Sequence, residues 1–134
     1  MPFLKLIRFH NLSIIVLTQY LLQYLILIPA FEIIGLSPLL DHFHFSILAF
    51  STVLIAAGGY IINDIYDIET DKINKKENQI IGNSISSKSA FNYYYLLNFL
   101  GFLFGFYIAL SIGKTAFGFI FIFQFAFFIF IFKI

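Results

Sequence analysis

From Leu12 to Phe31 the chain runs for twenty residues without one charged side chain. A hydrocarbon core of about 30 Å needs roughly 20 apolar residues in a helix. Three further stretches share this character, and the expected spans are about 12–36, 45–66, 92–113 and 115–132. Lipid offers no hydrogen-bond partners, so each peptide group must be paired within a helix or a closed barrel. The runs are near-continuous and not alternating, which is the helical pattern. The expected fold class is all-α: an integral membrane helical bundle, with about four transmembrane helices in these residues. Composition agrees, since 60% of the 134 residues are hydrophobic and 11% charged. Soluble domains average roughly 45–50% and about 25%. A sphere of this size has too little interior for twenty Phe, so a bilayer must supply the burial.

Several classes are excluded at once. With no Cys, neither a disulfide framework nor a thiolate metal site is available. The formal net charge of +1 points to no nucleic-acid partner. The first apolar run is too long for the core of a cleaved signal, typically about 7–15 residues, and no small-residue cleavage site follows it.

Lysine and arginine orient the spans, because loops on the cytoplasmic side carry an excess of them. Lys5 and Arg8 precede the first span, and the first connection has neither residue type, only Asp41, His42 and His44. The second connection carries Lys72, Lys75, Lys76 and Lys88; the third has Lys114 alone, and Lys133 follows the fourth span. The N-terminus and residues 67–90 are expected in the cytoplasm of a multi-pass inner-membrane protein.

That second connection also concentrates acid. Asp64, Asp67, Glu69, Asp71 and Glu77 are five of the seven carboxylates in the chain. Asn63, Asp67 and Asp71 recur at every fourth position. At about 100° per residue they fall within an arc of roughly 80° on one helical face, about 6 Å apart along the axis. They begin where the second span leaves the bilayer, and the expectation is that its helix continues through them. Mg²⁺ takes hard oxygen ligands, commonly one or two carboxylates with substrate phosphates and water. Bland solvation is the usual role of acids at a helix end. Here Asn63 and Asp64 abut an unbroken apolar run, where ionisable groups are costly and tend to be functional. A calcium-binding EF-hand loop does not fit, for want of its central Gly and closing Glu.

The run Gly59–Tyr60–Ile61–Ile62–Asn63–Asp64–Ile65–Tyr66–Asp67–Ile68–Glu69–Thr70–Asp71 resembles the first aspartate-rich motif, N-D-x-x-D-x-x-x-D, of the UbiA family of intramembrane prenyltransferases. Arg8–Phe9–His10–Asn11 resembles the family's R-x-x-N opening. Ile73–Asn74–Lys75, then Gly82, Ile85–Ser86 and Ala90, resemble its continuation after the motif. The likeness runs from about residue 5 to 113. It implies transfer of an isoprenyl group from a prenyl diphosphate to a lipophilic acceptor within the membrane. By resemblance, Asp67 and Asp71 are the catalytic, Mg²⁺-binding carboxylates. Asn63 assists at the metal-diphosphate, and Asn11 lines the substrate pocket. The stretches Leu17–Thr18–Gln19–Tyr20 and Ile73–Asn74–Lys75 look like the subgroup that prenylates geranylgeranylglyceryl phosphate. Quinone-ring precursors and haem remain open as acceptors.

Two departures stand out. Asn78–Gln79 occupies the place of the family's usual Arg-Pro, so one expected cation for the diphosphate is missing, with Lys75 or Lys76 as substitutes. Family members have about nine helices and a second aspartate-rich loop, whereas these residues offer four spans and no second motif. The chain is therefore expected to be incomplete and inactive alone. The rival from another class is a non-catalytic four-helix membrane protein, or a piece of a transporter, whose acids merely face the cytosol. Among other polar residues, Thr18, Gln19 and Gln23 either line a pocket or bond between helices. Pro29 is expected to kink the first span. His42 and His44 are a possible metal pair far from the motif. Gly58 and Gly59 suit close helix packing, Glu32 a solvated outer interface, and Tyr93–Tyr94–Tyr95 an interfacial aromatic belt.

Overall fold

The computed structural model describes residues 1–68 and 80–113, which carry helices joined by turns. A short helix, α1 (Pro2–Leu6), opens the chain. Its proline sits in the first turn, where the missing N–H has no helical partner to lose. Arg8 then takes a left-handed conformation (φ 52°) and turns the chain into α2 (Phe9–Leu21).

Helix continues from α2 through a π-helical stretch, Leu22–Leu27, into α3 (Ile28–Ile33). Pro29 stands at the start of α3. The disturbance expected at this proline takes the form of a widened turn just before it. Proline cannot donate to the preceding turn, and π-type turns are a common way of absorbing such a mismatch.

The other two long helices are α4 (His42–Tyr66) and α5 (Ser87–Ser111). Each starts at a side-chain cap. Asp41 accepts from the His44 backbone N–H at 2.8 Å, and Ser86 accepts from that of Ser89 at 3.1 Å. These caps satisfy amide groups that have no partner inside the helix. They also extend both helices into polar residues ahead of the expected apolar stretches, to 42 and 87 from about 45 and 92. The two bonds from His44, first from its backbone and then from its ring, hold the Asp41 carboxyl below its ordinary pKa.

Three helices, Phe9–Ile33, His42–Tyr66 and Ser87–Ser111, are long and apolar enough to cross a membrane. At about 1.5 Å per residue, 25 residues exceed the hydrocarbon thickness. The chain is thus a helical membrane protein, and the described residues contain no extended strand. The expected fourth span, 115–132, lies outside the described residues.

The tightest packing is between α4 and α5. The buried Ser51 hydroxyl donates to the Gly101 carbonyl at 2.7 Å. A Cβ at Gly101 would lie 2.6 Å from Ile55 Cγ1 and 3.2 Å from the Ser51 carbonyl oxygen. A Cβ at Gly58 would strike the Asn98 amide, which itself donates to the Tyr94 carbonyl at 2.8 Å. Gly58 therefore permits the close approach expected of it. Gly59 does not take part, because a Cβ there meets nothing within 4 Å. Consecutive helical residues point about 100° apart, so only one of two adjacent glycines can face the partner.

The same geometry breaks up the tyrosine run. Tyr94 is fully buried, while Tyr93 and Tyr95 are exposed. Burial removes Tyr94 from the expected interfacial belt and leaves only the exposed pair for it. Around Tyr94 gather Leu6, Ile7, Leu12, Ile61, Ile65, Ile81 and Ala90, a core that joins α1, the start of α2, the end of α4 and the start of α5. Ile81 reaches it from a tight turn over residues 80–86, in which Gly82 has φ 96°.

The first span is held to α4 at both ends. At one end the Tyr20 hydroxyl pairs with Ser46 at 2.9 Å, Tyr20 meets Phe45 edge-on, and the Tyr24 hydroxyl bonds His42 Nδ1. At the other end lies an ion pair that belongs to the candidate site. Elsewhere much of the span is bare, with Leu17, Leu21, Leu25 and Ile26 exposed.

Candidate active site at the end of the second span

Asn63 and Asp67 occupy the closing turn of α4. Here the regular helix is interrupted at Asp67, Ile68 is helical again, and the expected continuation to Asp71 lies outside the described residues. Regular helix ends at Tyr66, and Asp67 is the C-cap, its N–H donating to the Asn63 carbonyl at 2.9 Å. Both side chains are exposed, one turn apart, whereas Ile61, Ile62 and Ile65 face the core. The apolar positions of this turn fix the helix rotationally, and the amide and carboxylate are left on the open side. Asp71 and Glu69 lie outside the described residues.

The last carbonyls of a helix have no amide partners and concentrate negative potential, which favours cations nearby. Among the described residues no hydrogen bond or ion pair engages the Asp67 carboxylate, which is exposed. One carboxylate and one amide oxygen at a helix C-terminus form a donor set that suits Mg²⁺ with substrate oxygens and water completing the shell. Among the described residues no three His, Asp or Glu side chains converge on one point. His42 and His44 are engaged separately through Nδ1, one with Tyr24 and the other with Asp41.

Sequence reasoning assigned no partner to Asp64. Its Oδ1 accepts from Arg8 Nη2 at 2.9 Å, and the same guanidinium lies 5.0 Å from the centre of the Tyr60 ring. Arg8 is the residue with φ 52° that starts α2. Two segments 56 residues apart in the chain are thus clasped at the point where α2 begins and α4 ends. Each of these residues stood in a quoted motif, but nothing in either motif revealed their pairing.

Asn11 follows Arg8 by three positions, its N–H bonded to the Arg8 carbonyl at 2.8 Å. Its side chain is exposed and lines an open cavity of about 480 Å³ with Lys5, Arg8 and His10. No hydrogen bond joins Asn11 to Asn63 or Asp67 among the described residues. What brings it to the same end of the molecule is the Arg8–Asp64 pair. Of the polar residues farther along α2, Thr18 is turned back on its own helix, donating to the Ile14 carbonyl at 2.8 Å. Gln23 is buried, against a cavity of about 340 Å³ at the opposite end of the span.

A multi-span helical membrane protein with an amide and a carboxylate at one membrane-facing helix end is the architectural class these features define. The chain belongs to the UbiA prenyltransferase family, which it matches over residues 16–132. It is 46% identical over 66 residues to the digeranylgeranylglyceryl phosphate synthase of Sulfolobus acidocaldarius, covering 49% of this chain and 22% of that protein. With the digeranylgeranylglyceryl phosphate synthase of Metallosphaera sedula it shares 33% identity over 92 residues, 66% of this chain and 28% of the relative. The chain thus spans about a quarter of the length of these curated relatives. No solved structure matches it.

Proposed function

We propose that the full protein is a Mg²⁺-dependent prenyltransferase that joins an isoprenyl group, delivered as its diphosphate, to geranylgeranylglyceryl phosphate. The observation that carries this reading is the exposed Asn63–Asp67 pair at the end of α4, in a chain of the UbiA prenyltransferase family. The acceptor follows from the relatives' names.

Asp67 and Asp71, with Asn63 beside them, would hold Mg²⁺. The ion would supply neutralisation of the charge that grows on the departing diphosphate. The allylic carbon–oxygen bond breaks with its electron pair leaving on the diphosphate, and the acceptor's hydroxyl oxygen forms the new bond and releases its proton. The allylic cation must be kept from bulk water, which would otherwise hydrolyse it. Asn11 borders the substrate from the first helix. In this reading the motif faces the cytoplasm of the inner membrane, which the lysine asymmetry supports.

Residues 1–134 supply one side of the diphosphate site in this reading, and alone they are inactive. The test is transfer of radiolabel from geranylgeranyl diphosphate in membranes holding the full protein. Glyceryl-ether phosphate and aromatic acceptors are offered side by side, with and without Mg²⁺. Product is expected on the glyceryl-ether phosphate, lost on chelation and in Asp67→Ala. Product on an aromatic acceptor alone would refute the assigned acceptor, and activity undiminished in Asp67→Ala would refute the site.

A further inference from the structure

The cavity beside Arg8 is lined by the cationic Lys5 and Arg8, the imidazole of His10, the amide of Asn11, and the apolar Leu4 and Phe9. No lining residue is acidic. We propose that this cavity binds the phosphate monoester of the lipid acceptor. The inference rests on the prenyltransferase reading and adds a second, separate anion site to it.

The chemistry asks for two sites. In the proposed reaction a Mg²⁺ held by Asp67 would offset the like charges of carboxylate and diphosphate. A phosphate monoester on the acceptor has no such intermediary and is repelled by the acidic face, so it needs cations of its own. Lys5 offers an ammonium, His10 and Asn11 offer N–H donors, and one arm of the Arg8 guanidinium is held by Asp64 at 2.9 Å. That bond fixes the cationic group next to the motif helix, one residue from Asn63. The first amides of α2 add to the attraction, since Arg8 gives them no side-chain cap and free amides at a helix start favour anions. Leu4 and Phe9 are exposed on the rim, which suits an amphiphile whose charged head sits at the interface and whose chain enters lipid.

The left-handed backbone at Arg8 agrees with a positioned group. A non-glycine residue with positive φ is uncommon and persists where its surroundings over-determine it. Here Asp64 and Tyr60 do so. Lysines that merely set membrane orientation need neither a cavity nor a clasp.

The experiment uses the full protein in nanodiscs and measures KM for each substrate separately. Lys5→Gln combined with His10→Gln should raise KM for the phosphorylated acceptor about tenfold, the usual scale for losing charge-assisted bonds. KM for the prenyl diphosphate should stay within twofold. Lys5→Arg should restore the acceptor's KM, and Lys88→Gln, a charge removed elsewhere, should change neither value. An unchanged acceptor KM, or an equal rise for both substrates, would overturn the assignment. Binding gives an arm that needs no turnover. The glyceryl-ether phosphate, without prenyl diphosphate, should raise the melting temperature of the wild type more than its dephosphorylated alcohol does, and the double variant should lose this difference. Equal stabilisation by phosphatidylglycerol would assign the cavity to bulk lipid headgroups and sink the acceptor site. If binding behaves as expected while no acceptor is prenylated, the enzymatic reading fails and the anion site stands.

Discussion

Asp67 and Asp64 are both carboxylates at the end of one helix, yet the structure gives them different work. Asp64 is paired with Arg8, with the two side chains 23% and 46% exposed. At such exposure an ion pair contributes roughly 0–1 kcal/mol, so Asp64→Asn should lower the melting temperature of the full protein only slightly. Asp67 is exposed and its carboxylate has no partner among the described residues, and Asp67→Asn should reduce turnover by a hundredfold or more. Metal-ion charge stabilisation is worth several kcal/mol, and each 1.36 kcal/mol is about tenfold. Asp71→Asn should match it, and Glu69→Gln, which breaks the every-fourth-residue spacing of Asn63, Asp67 and Asp71, should cost much less. Steady-state rates for the four variants decide the matter. Equal losses at all four would mean a diffuse acidic patch with no assigned face.

At the scale of elements, the α4–α5 contact depends on two glycines that have no room for a side chain. Gly101→Leu would drive atoms into Ile55 and the Ser51 backbone. Overpacking of this kind typically costs about 1–3 kcal/mol, read as a lower melting temperature in detergent. Gly59→Ala is the contrasting case, with nothing within 4 Å, and should leave that temperature nearly unchanged. The start of α4 should respond to acid. The Asp41 carboxyl titrates lower in the folded protein than in the unfolded chain, so its contribution is complete above the unfolded value of 3.8. It is lost as pH falls through the folded value. Amide exchange at His44 should therefore accelerate as pH falls below about 4 relative to an internal α4 amide. Asp41→Asn, whose amide oxygen also caps but does not titrate, should abolish that acceleration.

For the molecule as a whole, the orientation is open to direct measurement. Cysteines placed at Ser84 and Ser37 should label from opposite sides of the membrane, Ser84 from the cytoplasm. Periplasmic labelling of Ser84 in intact cells would reverse the topology. The 134 residues expressed alone should give no prenyl transfer in membranes with Mg²⁺ and labelled geranylgeranyl diphosphate. In the proposed reading one carboxylate cluster would hold only one side of the diphosphate, and a site closed against water needs further helices. Product from these residues, absent in an Asp67→Ala control, would show that they form a whole site.

What the sequence determined by itself is what local composition enforces. Unbroken apolar runs leave a chain no stable option in a bilayer except helices, and the charge-free Leu12–Phe31 made the first of them unavoidable. Asn63 and Asp67 were legible because they are four apart and abut such a run. The tertiary structure decided everything that depends on two distant segments meeting. The Arg8–Asp64 clasp joins residues 56 apart, and no spacing within either motif announces it. Tyr94 is buried and its neighbours are not, Gly58 is in contact and Gly59 is free, because a helix presents successive residues about 100° apart. Which of those directions faces a partner is settled by the partner's surface. Pairing and facing are properties of surfaces brought together, and only packing produces them.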